Sequence, residues 1–234
     1  MKLILLISIS LLSFSTLKSQ SKQAMHFMDE YKCVAHQNIN GKLLDLEKWE
    51  ETDTLYYKIE GELMHLTHKS LKKYLLTLED LTGIAFCETR DKGKVDIVMY
   101  FGDLQDYFRH INSSVPRNLS SSFDNWNNRK YNDKKQLTSA SFCVDPKKTK
   151  TPDRCRYNVK KGLLKSIGFW GQSSNPNSIF YKYNTKENLR LDKNDMKIIK
   201  LHYNGYIKAG MSPIKSHEIL NSKIDIESFL KQKL

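Results

Sequence analysis

No C-x-x-C pair, G-x-S-x-G elbow, Walker loop or dinucleotide fingerprint occurs anywhere in the 234 residues. Without C-x-x-C the ligand spacing of a zinc ribbon is missing. The other absences remove the sequence marks of an elbow-borne serine nucleophile, a P-loop phosphate cradle and a nicotinamide or flavin fold. No internal repeat is visible, and beyond the first residues no apolar run is long enough to span a bilayer. Acids are also short, with 26 Asp+Glu against 38 Lys+Arg for a formal charge of +12. That imbalance suits a polyanionic partner. It is equally what a Lys-, Asn- and Ile-rich composition gives with no functional meaning.

What is present begins with a leader. Met1-Lys2 is a positive start, Leu3 to Phe14 is apolar, and a polar "STLKSQSK" follows, the pattern of a secretory signal peptide over residues 1–19. The remainder, about 215 residues, is enough for one domain with a sizeable core. Its divisions are expected as an N-terminal extension (20–48), a main domain (49–211) and a helical tail (212–234). In an exported chain the even count of four cysteines favours disulfides, with three connectivities open. Cys143–Cys155, bracketing a turn-rich loop, and Cys33–Cys87 are the preferred pairs.

Residues 54–61, "TLYYKIEG", read as a strand ending at a glycine. "THKSLKKYLLTLEDLTG" sets Leu71, Tyr74, Leu75 and Leu78 on one helical face, with Gly83 past its end. "IAFCET" and "VDIVMYFG" read as strands parted by the turn "RDKGK", and "DLQDYFRHI" as a short helix capped by Asp103. Residues 112–136 read as a long polar loop carrying Trp126 and Tyr131. "LTSASFCVD" reads as a strand, and "RYNVKKGLLKSIG" as a helix with a Val159, Leu163, Ile167 stripe and Gly168 as its stop. "PNSIFYKY" is extended, and "LDKNDMKIIKLHYNG" is a helix capped by Asp192. This order indicates one α/β or α+β domain.

In sequence order, several of these phrases resemble metzincin peptidases, which carry H-E-x-x-H-x-x-G-x-x-H on a helix that breaks at the glycine. "LTGIAF" and "VDIVMYFG" are similar to the strands before that helix, "LLKSIGFWG" to its end, "NPNSIFYKY" to the Met-turn stretch with Phe180 in place of methionine, and "LRLDKNDMKIIKLHY" to the final helix. The resemblance runs from about Trp49 to Met211. It is to a degenerate branch, secreted bacterial proteins with an eroded motif. It implies an α+β fold, a single zincin-like domain with a mixed twisted sheet, an active-site-type helix and a C-terminal helix.

Setting Gly168 on the motif glycine puts Lys161, Gly162, Lys165 and Gly171 at the first His, the Glu, the second His and the third His. A catalytic zinc needs imidazole, thiolate or carboxylate donors, and a protonated lysine offers no lone pair. Gly162 and Gly171 would remove the general base and the third ligand. Gly162 also costs about 1 kcal/mol against Ala in a helix interior. Restoring the motif by Lys161→His, Gly162→Glu, Lys165→His and Gly171→His is expected to create zinc affinity where the cleft survives. Enough burial to deprotonate the two lysines is not expected in so basic a chain. His65 and His68, three apart, lack a third ligand in sequence, and His202 fits a place beside the core.

Between Lys147 and Lys165 only Asp153 opposes the bases, so Lys147, Lys148, Lys150, Arg154, Arg156 and Lys160 form the candidate anion-binding set. Arg129, Lys130, Lys134 and Lys135 make a second cluster. No cofactor and no metal are expected. The leading expectation is an exported, inactive metalloprotease-like binding module whose partner is a protein or an acidic polysaccharide. The alternatives are an active secreted hydrolase with another metal site, and a basic envelope or adhesion module for acidic polymers.

Overall fold

A computed structural model describes residues 21–63, 65–116, 123–149, 151–181 and 190–233. The leader at 1–19 and Lys150 lie outside them. Helix α1 (Lys22–Ala35) is followed by a small hairpin, β1 (Asn38–Ile39) and β2 (Lys42–Leu43). Then come β3 (Thr54–Gly61), α2 (His68–Thr82), β4 (Ala85–Glu88), β5 (Ile97–Phe101), α3 (Leu104–His110), β6 (Asn125–Tyr131) and β7 (Leu137–Val144). The chain closes with α4 (Pro152–Ser166), α5 (Lys193–His202), α6 (Pro213–Lys223) and α7 (Ile226–Lys231). It is an α+β fold around one mixed five-stranded sheet, ordered β4-β3-β5-β7-β6. Every pairing in it is parallel except β6 with β7.

Local chemistry sets the element ends. Thr67 and Ser70 cap α2 reciprocally, and Gly83 ends it in the left-handed region at φ 73°. Asp192 and Asp195 form the same reciprocal cap on α5. The two runs expected before the long loop are both strands, but they do not pair with each other. Each lies parallel beside β3, one on either side. The long polar loop is also corrected: within it, residues 125–131 pair with β7 as the antiparallel edge strand. A seven-residue ladder offsets the polar composition, because its backbone groups find partners on β7.

The core gathers residues from both chain ends. Ala24, Phe27, Met28, Tyr31, Val34 and Ala35 of α1 are buried in the same cluster as Leu220, Ile226 and Phe229 of the last two helices. The segments that the sequence sets apart as an extension and a tail therefore pack on the main domain. A second apolar cluster, Leu104, Tyr107, Phe108 and Cys143, covers part of the sheet under α3.

The disulfide expectation is overturned: all four cysteines are free, Cys33 and Cys87 exposed, Cys143 and Cys155 buried. Side chains alternate across a strand. On β7, Phe142 meets Gly162 of α4, so the neighbouring Cys143 points to the other face, where it packs under α3. Cys155, on α4, lies in the main core. The sheet itself separates the two sulfurs. Cys33 sits on α1 and Cys87 on the short strand β4, with no bond between them.

Candidate functional site

Helix α4 is the element that builds the site. Thr151 caps it through its side chain and Pro152 opens it. Its end is a Schellman turn: Phe169 N–H donates to the Leu164 carbonyl and Gly168 N–H to that of Lys165, with Gly168 at φ +104°. A Cβ at Gly168 would lie 2.1 Å from the Glu47 carbonyl oxygen, so this position admits glycine on both counts. The helix packs against β7 and β6.

The glycine inside the helix is also a packing residue. A Cβ at Gly162 would come within 2.6 Å of the Phe142 ring. Its helix-propensity cost is therefore offset by close approach of helix to sheet, and the sequence reading of it as a lost general base is incomplete. Gly171 is hemmed in by backbone, its Cβ position lying 2.1 Å from Cys33 O, 2.6 Å from Val34 O and 2.7 Å from His36 O. Gly171 N–H donates to Val34 O at 3.0 Å and Gln172 N–H to Cys33 O at 2.9 Å. A histidine at 171 or a glutamate at 162 has nowhere to go. The expectation that the fully restored motif binds zinc is thereby corrected, because two of its four substitutions break the packing that shapes the site.

Lys161, Lys165 and Gly171 line one cleft of about 360 Å³, together with Gln37, Asn38, Tyr157, Trp170, Gln172 and Tyr181. Lys161 Nζ stands 5.5 Å from the Phe180 ring centroid, and Lys165 Nζ 5.2 Å from that of Trp170. Burial pushes both amines down, Lys161 to about 8, with the neighbouring Lys165 lowering it further and Asp195 opposing. Both side chains are partly buried, so desolvation is larger than the sequence leads one to expect, yet at about 8 Lys161 still carries its proton at neutral pH. Among the described residues neither amine has a carboxylate within ion-pair distance. Asp195 is occupied by Ser178 Oγ, Ile179 N–H (2.9 Å) and Asp192 N–H (3.1 Å), and burial raises its pKa to about 6.

The Arg129 guanidinium closes one side, lying 3.6 Å from the Trp170 ring centroid. Its charge is answered by a bidentate pair with Glu47, and it donates to Gln37 Oε1 at 2.8 Å. The Trp170 indole nitrogen is buried and, among the described residues, has no hydrogen-bond partner.

The other candidates disperse. Lys148 pairs with Asp103 and Asp145, Arg154 with Asp124, and Arg156 with Asp153. Lys160 stacks over Tyr74 at 4.9 Å, and Lys147 is exposed. Two of these acids, Asp103 and Asp124, come from distant segments, so counting along the chain overstated the charge of the set. His202 is fully buried, with its Nδ1 3.2 Å from Tyr31 Oη. Burial, then the Lys48 charge, hold its pKa well below the ordinary imidazole value. Among the described residues no group of three or more His, Cys, Asp or Glu is placed to hold a metal ion. Sequence reasoning missed Trp170, Gln37 and the Arg129–Glu47 pair, none of which carries a local signal. No protein-family model matches the sequence, and no curated protein matches it.

Proposed function

We propose that the chain is an exported, zincin-like protein that binds a ligand in the α4 cleft and does not cut it. The observation that carries this reading is convergence. Three positions at which the metzincin resemblance sets metal ligands, 161, 165 and 171, line one cleft. Positions 161 and 165 share a helix face by their spacing alone, so the weight falls on Gly171, which lies beyond the helix end and lines the same cleft. Their chemistry at the same time suits binding better than hydrolysis. Lysine ammonium groups repel a cation, and Gly162 and Gly171 stand where side chains do not fit. The parallel core of the sheet, the helix directly after β7 and a Gly168 turn support the zincin-like assignment. Export rests on the leader at 1–19, since the free thiols withdraw the disulfide argument for it.

Elemental analysis of the purified protein, with a fluorogenic peptide-hydrolysis assay beside it, tests the reading. The expected result is neither stoichiometric zinc nor turnover. One zinc per chain, or cleavage abolished by a chelator, would refute it.

A further inference from the structure

Resting on that reading of the cleft as a binding site, we infer that its ligand is a compact oxyanion: a carboxylate, sulfate or phosphate group held between Lys161 and Lys165. The lining is rich in donors, and its only charged groups are the two ammonium groups. Lys161 and Lys165 lie one helical turn apart on the same face, and neither is paired with an acid among the described residues. The cation beside them, Arg129, already has Glu47, so its charge does not require the ligand. Two of the three side-chain amides in the lining have their oxygen engaged: Gln37 Oε1 accepts from Arg129, and Asn38 Oδ1 accepts from Gly41 N–H at 2.9 Å. Their NH2 ends are left to donate.

Desolvated ammonium groups are costly unless paired. A bound oxyanion supplies the missing countercharge and accepts hydrogen bonds that the walls leave unmade. A carboxylate, sulfate or phosphate has the two or more oxygens that two amines a turn apart require. The volume fits the inference as well. A 360 Å³ cleft lies at the small end of the range for small-ligand sites, about 300–1,000 Å³. It takes an acid group with one attached ring. The depressed amine pKa values are a consequence of the same arrangement. The charged groups around Lys161 are Lys165 on its own helix and Asp195 from α5, and Lys165 faces Arg129 of β6, itself paired with Glu47 from the segment before β3; the hydroxyls of Tyr157 and Tyr181 complete the lining. Against that field an arriving anion draws protons onto the amines, so binding takes up protons and weakens as pH rises through the Lys161 titration.

The test is isothermal titration calorimetry of the full chain with inorganic phosphate, inorganic sulfate and glucuronate, and with glucose and an end-blocked tetra-alanine as neutral probes. At least one acidic probe is expected to bind one-to-one, and the tightest of the three identifies the source of the oxyanion. Lys161→Met and Lys165→Met are each expected to weaken it by about tenfold, the loss of one charge-assisted hydrogen bond. Lys165→Arg retains binding, and Lys147→Met, at an exposed position outside the cleft, leaves it unchanged. Native-like thermal transitions of the variants exclude misfolding as the cause. Acid binding that is indifferent to both Met variants, or the absence of binding by all three acids, overturns the inference. Saturable binding of a neutral probe alone overturns it while leaving the binding-cleft reading standing. Zinc content or peptide turnover overturns that underlying reading separately.

Discussion

Replacing Gly162 by alanine separates packing from propensity within one residue. In an exposed helix interior this change stabilises by about 1 kcal/mol. Here the new methyl would sit 2.6 Å from two atoms of the Phe142 ring and 3.0 Å from a third. Comfortable carbon contacts lie at about 3.5–4.0 Å, so ring and helix must part by roughly an ångström. Phe142 is 1% exposed and held by β5 on one side and β6 on the other, which leaves it little room to yield. Overpacking of this kind costs about 1–3 kcal/mol, and contact with three ring atoms belongs at the upper end. The net expectation for Gly162→Ala is a loss of about 1–2 kcal/mol, which is roughly 2–8 °C in Tm for a chain of this size. Urea unfolding should show a lower midpoint at unchanged m. Combining it with Phe142→Leu should cost less than the two single changes added together, because the ring is the obstacle. A Gly162→Ala protein more stable than wild type would refute the account of this helix–sheet contact.

Four further outcomes follow from the same structure. Lys161→Met should stabilise at neutral pH and lose that advantage toward alkaline pH. The folded-state pKa of Lys161, about 8, lies below the ordinary 10.5, so the unfolded chain binds the extra proton between them and wild-type stability rises with pH across that window. His202 is held neutral by burial, so its contribution is lost as pH falls below the ordinary 6.5. His202→Leu should flatten that acid slope; Asp195, raised to about 6, acts in the opposite sense between there and its ordinary 3.8. Lys48 Nζ donates to the carbonyls of His202 and Ile207, each at 2.9 Å. Lys48→Met leaves both buried acceptors unmet and should cost about 2–4 kcal/mol by chemical denaturation. In native protein a thiol reagent should label Cys33 and Cys87, and reach Cys143 and Cys155 only after unfolding.

Elements whose cause is local were legible in the sequence. Alternation from Thr54 to Gly61, the Asp103 cap, the Asp192 cap and the glycine stop after α4 all depend on residues a few positions apart. The sheet order was not, because the neighbours of β3 are chosen by packing over the whole chain. Nor was the pairing of Lys148 with Asp103 or Arg154 with Asp124, which joins segments with no local signal between them. Gly162 looked like a loss because its reason, Phe142, sits on another element. The separation of Cys143 from Cys155 was within reach: strand alternation alone sets Cys143 opposite Phe142 and Val144. For the candidate site, the sequence indicated the helix and its two lysines. It said nothing of their burial, which comes from Trp170, Gln37 and Tyr181 folding over them.

The pair of amide bonds from Gly171 and Gln172 to Val34 and Cys33 makes one wall of the cleft a seam between the beginning of the chain and its middle. Such a wall cannot exist until nearly three-quarters of the chain is present and a very long loop has closed. Contacts of this range form slowly, so the cleft is assembled after the sheet has its parallel core. Helix α1, which carries the seam, is then the part of the fold whose detachment dismantles the cleft while leaving the strand ladder intact. Hydrogen exchange would report this as two levels of protection, with the amides of Gly171 and Gln172 opening together with α1. A ligand in the cleft should raise the lower level and leave the upper one untouched.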